Sequence, residues 1–243
     1  MELSVSTLAR SPLTRRLAAT ALALAALTAA PALPAQADAA RARPAPEPIS
    51  TARGAGQSVA LTFDDGPHGA DTERLLDVLR AYRVKAVFCL QGDQVAADPD
   101  LVRRIAAEGH TLCNHSVRHD DLGTATAAQV RADLEATNAL IRWAVPDAEI
   151  PYFRAPYGSW GVSARVAQRL DMEPLGWTFA VEDWEEPGAE VIAQRVRERL
   201  QPRSVILMHD GGGDRSGTVD AVETLIPELR LAGWRFTLPA KRA

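Results

Sequence analysis

Seven short runs of apolar and β-branched residues, at 58–63, 85–90, 111–114, 152–154, 174–180, 204–209 and 235–238, recur along the chain with longer stretches of helical spacing between most of them. This alternation constrains the fold more than any other feature. A strand that follows another in parallel needs a crossover long enough to return to the starting edge, and a helix supplies it. The helical stretches carry apolar stripes: Leu75, Leu76, Val78, Leu79 and Tyr82; Leu101, Val102 and Ile105; Val130, Leu134 and Ile141; Val191, Ile192, Val196 and Leu200; Val222, Leu225, Ile226 and Leu229. Asp98-Pro99 and the stretch from Thr124 to Thr126 have the chemistry of helix starts. Seven strand–helix units of this kind fit a distorted barrel and equally an open doubly wound sheet, because periodicity does not report closure. Neither an internal repeat nor a second domain is visible, so the folded part reads as a single α/β domain.

Ahead of that pattern, residues 1–37 place Arg10, Arg15 and Arg16 before an Ala/Leu-rich run and end in Ala35-Gln36-Ala37, the order of a secretory signal peptide. Thr20, Thr28 and Pro31 interrupt the run, which makes it a poor membrane span. Residues 38–57, rich in Ala, Pro, Arg and Gly, read as a flexible linker, and 58–240 as the folded domain. The expected location is therefore outside the cell, secreted or cell-wall associated. Removing the first 37 residues takes away three arginines and one glutamate, which moves the net charge from −4 to −6. Such a chain, with no basic run, offers nucleic acid no electrostatic footing, and nothing in it calls for an obligate protein partner. Its two cysteines, Cys89 and Cys113, fall in consecutive predicted strands, where export allows a disulfide; two buried free thiols are the other reading.

The chemistry concentrates at strand ends. The first strand runs into Thr62-Phe63-Asp64-Asp65-Gly66-Pro67. Asp-Gly-Pro by itself is a turn, but adjacent carboxylates at a strand end point in different directions, so one can hold a metal while the other stays free as a base. The third strand runs into His115-Ser116-Val117-Arg118-His119, two of only five histidines in the chain. Imidazoles at this spacing converge on one cation if the backbone turns helically there, and with Asp65 they form a His₂-carboxylate set that leaves positions open for water and substrate. Further on stand Arg154-Ala155-Pro156-Tyr157-Gly158, Asp183-Trp184 and Leu207-Met208-His209-Asp210, the last placing an imidazole at the mouth of the fold.

In combination and in this order, T-F-D-D-G-P, H-x-x-x-H, R-x-P-Y, D-W and L-M-H resemble the polysaccharide deacetylases of the NodB-homology type, the family-4 carbohydrate esterases, over about residues 58 to 238. The resemblance implies a distorted (β/α)₇ barrel and removal of acetyl groups from N-acetylglucosamine units of a glycan, peptidoglycan or chitin-like. It implies Asp65, His115 and His119 as ligands of one divalent ion, zinc foremost, with cobalt, manganese and nickel also compatible. It makes Asp64 the general base, Arg154 its partner, His209 the general acid, and Asp183 the group that holds Arg154 or His209. Tyr157 would give a backbone N–H to the oxyanion, and Trp184 and Leu207 would line the acetyl pocket.

The chain departs from D-x-x-D-W at its first position, reading Ala180-Val181-Glu182-Asp183-Trp184, and Glu182 is the residue at hand to compensate. Two rivals remain open on the sequence: an O-deacetylase of acetylated xylan, and a non-catalytic glycan-binding protein. Trp177, inside a predicted strand, is expected in the core; Trp160, in a loop, is expected to offer a face to sugar. The stretch 211–217 lacks the G-K-[ST] ending of a phosphate loop and reads as a flexible rim.

Overall fold

A computed structural model describes residues 44–241; the predicted signal peptide, and residues 38–43 of the predicted linker, lie outside them. The chain runs β1 (Ser58–Asp64), α1 (Gly69–Ala81), β2 (Val87–Leu90), α2 (Gly92–Ala97), α3 (Pro99–Ala107), β3 (Thr111–Asn114), α4 (Ala127–Ala144), β4 (Tyr152–Phe153), α5 (Ser163–Gln168), β5 (Glu173–Pro174), β6 (Phe179–Ala180), α6 (Ala189–Arg199), β7 (Ser204–His209), α7 (Ser216–Leu231) and β8 (Arg235–Thr237). All ladders between these strands are parallel, in the order β5-β4-β3-β2-β1-β7-β6, with β8 pairing β1 beside its first residues. The two ends of this curled sheet, β5 and β6, are consecutive in the chain and are not paired with each other, which makes the barrel a distorted one.

Local chemistry sets the helix starts. The Asp98 carboxylate accepts from the Leu101 N–H at 2.9 Å and Pro99 fills the first turn of α3, where its missing N–H costs nothing. Thr126 and Gln129 form a reciprocal capping box ahead of α4.

Strand alternation then sorts the side chains into two columns. On β1, Val59, Leu61 and Phe63 join the large apolar layer under the helices, as do Ile206 and Met208 of β7. The intervening residues face the barrel interior, where Ala60, Val87, Cys89, Cys113, Tyr152 and Val205 form a second, smaller cluster with Ile49, Ala52 and Leu175. Cys89 and Cys113 are opposite each other in the β2–β3 register and are joined in a disulfide. Asp64 and His209, also in register, extend the interior column to the C-terminal mouth.

Two expectations are corrected here. The predicted strand 174–180 is two short strands, because the chain turns through Leu175 to Thr178 to cross the open seam. The predicted linker ends earlier than 57. Ile49 exchanges hydrogen bonds with Pro174 and Gly176, each 2.8 Å, Thr51 bridges to Ser204, and Ile49 and Ala52 are buried. This segment bridges the bottom of the open seam, from Leu175 just after β5 to Ser204 at the start of β7, because unpaired strand edges there would leave buried backbone groups without partners.

Candidate active site

The mouth of the barrel holds a cleft of about 670 Å³, lined among others by Asp64, Asp65, His115, His119, Tyr157, Trp177, Trp184, Leu207, His209 and Arg215. All ten candidate residues from the sequence meet here: eight line the cleft, and Arg154 and Asp183 lie directly behind it.

Asp65, His115 and His119 each offer a ligand atom within 4.8 Å of the others. Asp65 Oδ1 lies 3.3 Å from His115 Nε2 and 3.4 Å from His119 Nε2, yet it is buried and makes no hydrogen bond. His115 Nδ1 lies 2.8 Å from the Arg154 carbonyl. A carbonyl only accepts, so Nδ1 carries a proton and Nε2 is the ring nitrogen turned to the cleft, the usual support of a ligating imidazole. Burial raises the Asp65 carboxyl, but His115, His119 and His209 outweigh it and hold it at about 2. Burial lowers His115, and Asp64 and Asp65 more than reverse this. Burial lowers His119, and the opposing pull of Asp65 does not reverse it. A carboxylate held low, an imidazole whose Nδ1 is fixed by the Arg154 carbonyl and a second imidazole, all within reach of one point, make a donor set that fits a divalent cation.

The histidines do not converge through a helical turn, as the spacing suggested. Residues 115–119 form a bend with Ser116 at φ 65° and His119 at φ 60°, which brings the two rings to 5.0 Å. Asp65 (φ 72°) and Tyr157 (φ 57°) are also left-handed. Such residues cost of order 1–3 kcal/mol each and collect at functional sites, where the surrounding structure enforces them.

Asp64 is buried and points its other way, into Arg154. The guanidinium Nη1 donates to Asp64 Oδ1 at 2.6 Å and to Thr62 Oγ1 at 2.9 Å, while Nε and Nη2 donate to the carbonyls of Leu175 and Gly176. Asp64 Oδ2 remains open towards the cleft, 3.7 Å from His115 Nε2. Opposite, His209 Nδ1 donates to Asp183 Oδ1 at 2.7 Å, and Asp183 Oδ2 accepts from the His209 backbone N–H and from Thr218 Oγ1. Asp183 therefore holds His209 and not Arg154. Burial lowers the His209 imidazole, but Asp183, Asp64 and Asp65 raise it above its ordinary value. Among the described residues no acceptor takes the Tyr157 backbone N–H.

Trp184 stands edge-on to His209 at 5.5 Å, and Leu207 lines the same cleft. Trp177 is not core: it lines the cleft, with the Arg154 guanidinium 5.8 Å from its ring centre. Trp160 is turned the other way, edge-on against Phe153 at 5.9 Å. Glu182 does not replace the missing carboxylate at Ala180, because its own is engaged by Arg199 at 2.8 Å and Arg195 at 3.4 Å. The 211–217 stretch is a packed rim. A Cβ on Gly211 would stand 2.3 Å from the Asp65 carbonyl, so glycine serves close approach there. Thr218 and Arg215 were not singled out by the sequence, since neither type nor spacing marks a residue that acts behind another.

The polysaccharide deacetylase family model matches residues 51–175. A chitooligosaccharide deacetylase of Bradyrhizobium sp. (strain ANU 289) is 37% identical over 192 residues, covering 74% of this chain and 88% of the relative. Among solved structures, a peptidoglycan N-acetylglucosamine deacetylase bound to an N-oxidanyl-benzamide superposes with TM-score 0.73 at 33% identity, over 78% of this chain and 89% of that one. A family-4 pseudoenzyme from Bacillus anthracis reaches the same TM-score at 28% identity, over 79% and 67% of the two chains. The fold is thus shared by proteins with and without turnover, and the residues at the mouth must decide between them.

Proposed function

This chain belongs to the polysaccharide deacetylase family, and on that premise we propose that it hydrolyses N-acetyl groups from N-acetylglucosamine units of a peptidoglycan or chitin-oligomer glycan. The observation that carries this reading is the division of labour between neighbours: Asp65 faces two imidazoles, whereas Asp64 faces Arg154 and the cleft. A binding protein needs no such separation of ligand and base.

Asp65, His115 and His119 would hold one divalent ion, zinc in our reading. When bound, the ion supplies Lewis acidity towards an acetyl carbonyl and acidifies a water. Asp64 Oδ2 accepts the proton of the attacking water, and Arg154 holds that carboxylate in place through Oδ1. The Tyr157 N–H donates to the carbonyl oxygen as charge develops on it. His209, its Nδ1 committed to Asp183, delivers a proton from Nε2 to the amide nitrogen as the C–N bond breaks, which releases acetate and a free amine. Leu207 and Trp184 bound the space for the acetyl methyl. The signal-like N-terminus and the Cys89–Cys113 disulfide support an exported protein that meets its glycan outside the cell.

Acetate release from N-acetylglucosamine oligomers, peptidoglycan and acetylxylan, followed across pH, tests this. Turnover of the amides is expected to fall on the alkaline side as His209 loses its proton. Because the folded protein raises His209, the alkaline limb is expected above the ordinary 6.5. Faster release from acetylxylan than from either amide would transfer the assignment to the O-deacetylase reading.

A further inference from the structure

Arg215 precedes α7 and is 3% exposed, yet it lines the catalytic cleft. Burying a guanidinium this completely is costly unless its donors are satisfied. Its donors go to backbone. Nε donates to the Gly211 carbonyl at 2.8 Å, and Nη1 to the Asp183 carbonyl at 2.9 Å. Those carbonyls belong to two different segments, the 182–186 turn that carries Asp183 and Trp184, and the 209–214 segment that carries His209. A second tie joins the same pair, from the Asp214 N–H to Glu186 Oε1 at 3.2 Å. The Arg215 backbone N–H is itself anchored to Asp71 Oδ2 at 2.9 Å, which fixes the clasp to α1.

We infer that Arg215 is a positioning residue for the acid half of the reaction: its forked guanidinium sets the Asp183 backbone, and through it the Asp183–His209 hydrogen bond. The inference rests on the reading of His209 as general acid. The Asp183 carboxylate has to meet the His209 ring, the His209 N–H and Thr218 at once, so a shift of its backbone breaks an arrangement that side-chain rotation cannot recover. Lysine cannot do this, because it presents all its donors from one atom and the two carbonyls are held by different nitrogens.

The test compares zinc-loaded wild type with Arg215→Met and Arg215→Lys on an N-acetylglucosamine oligomer, whose amine must be protonated to leave, and on 4-nitrophenyl acetate, whose phenolate leaves unaided. On the oligomer, kcat is expected to fall about 10- to 100-fold in both variants with KM little changed, and ester hydrolysis by less than about threefold. In proton NMR spectra the His209 Nδ1 proton, sharp in wild type, is expected to broaden away. Glu186→Ala, an exposed change, should move the same readouts in the same direction by less, and zinc binding verifies folding in each variant. Equal losses on both substrates, or an unchanged His209 resonance, overturn the inference. If the wild type releases no acetate from the oligomer, the functional reading fails by itself, and the resonance still decides for or against the clasp.

Discussion

Asp64→Asn is expected to abolish acetate release, by about 10²- to 10⁴-fold in kcat, while leaving zinc binding intact. The amide has nearly the shape of the carboxylate, and its oxygen can still accept from Arg154 Nη1, so the first strand ends as before. What disappears is the acceptor for the water's proton. Zinc content stays because the cluster able to hold the ion is Asp65, His115 and His119, and Asp64 is not one of the three. Equilibrium dialysis with zinc and acetate release on one preparation check both halves. Loss of metal together with loss of activity would mean that Asp64 is a ligand and that the two adjacent carboxylates are not divided as described.

Arg154→Met should have the largest effect on stability, about 3–5 kcal/mol, with turnover lost as well. Arg154 is fully buried and Asp64 nearly so, which leaves the Asp64 charge without its cation once the guanidinium is gone. The carbonyls of Leu175 and Gly176 and the Thr62 hydroxyl lose a donor too. Because part of the penalty is the orphaned charge, Asp64→Asn is expected to be less harmful in the Arg154→Met background than additivity gives, and the double variant to melt no lower than Arg154→Met alone. Thermal unfolding of the four proteins provides the cycle. Strict additivity would show that the pair is not coupled and that Arg154 serves only the seam between β5 and β6.

Much of this site was legible because strand alternation fixes it. Asp64 continues the interior column of Ala60 and Thr62, and His209 that of Val205 and Leu207, so residues at those strand ends had to face the mouth. The motif order supplied Asp65, His115, His119 and Arg154. Backbone conformation was not legible: nothing about Ser116 or His119 announces a left-handed φ, and a helical turn is the default for that spacing. Ile49 and Ala52 were lost in a stretch whose Pro and Gly content suggested a tether, because two buried residues make no period. Trp177 lay in what looked like one strand, and only the unpaired seam turns it into the cleft. Arg215 shows the limit most clearly. Its role depends on two carbonyls, and carbonyls are the same in every residue.

The pseudoenzyme likeness sharpens what must be measured, since the fold alone is compatible with no turnover. The missing carboxylate at Ala180 is not made good by Glu182, whereas Asp64, Asp65, His115, His119 and His209 line the cleft with Arg154 and Asp183 hydrogen-bonded behind them. The most direct measurement is acetate release from N-acetylglucosamine oligomers by the purified domain before chelation, after it, and after zinc is returned. Release that chelation abolishes and zinc restores is the expected result. Release that survives complete removal of metal, or zinc bound with no release at any pH, would contradict it.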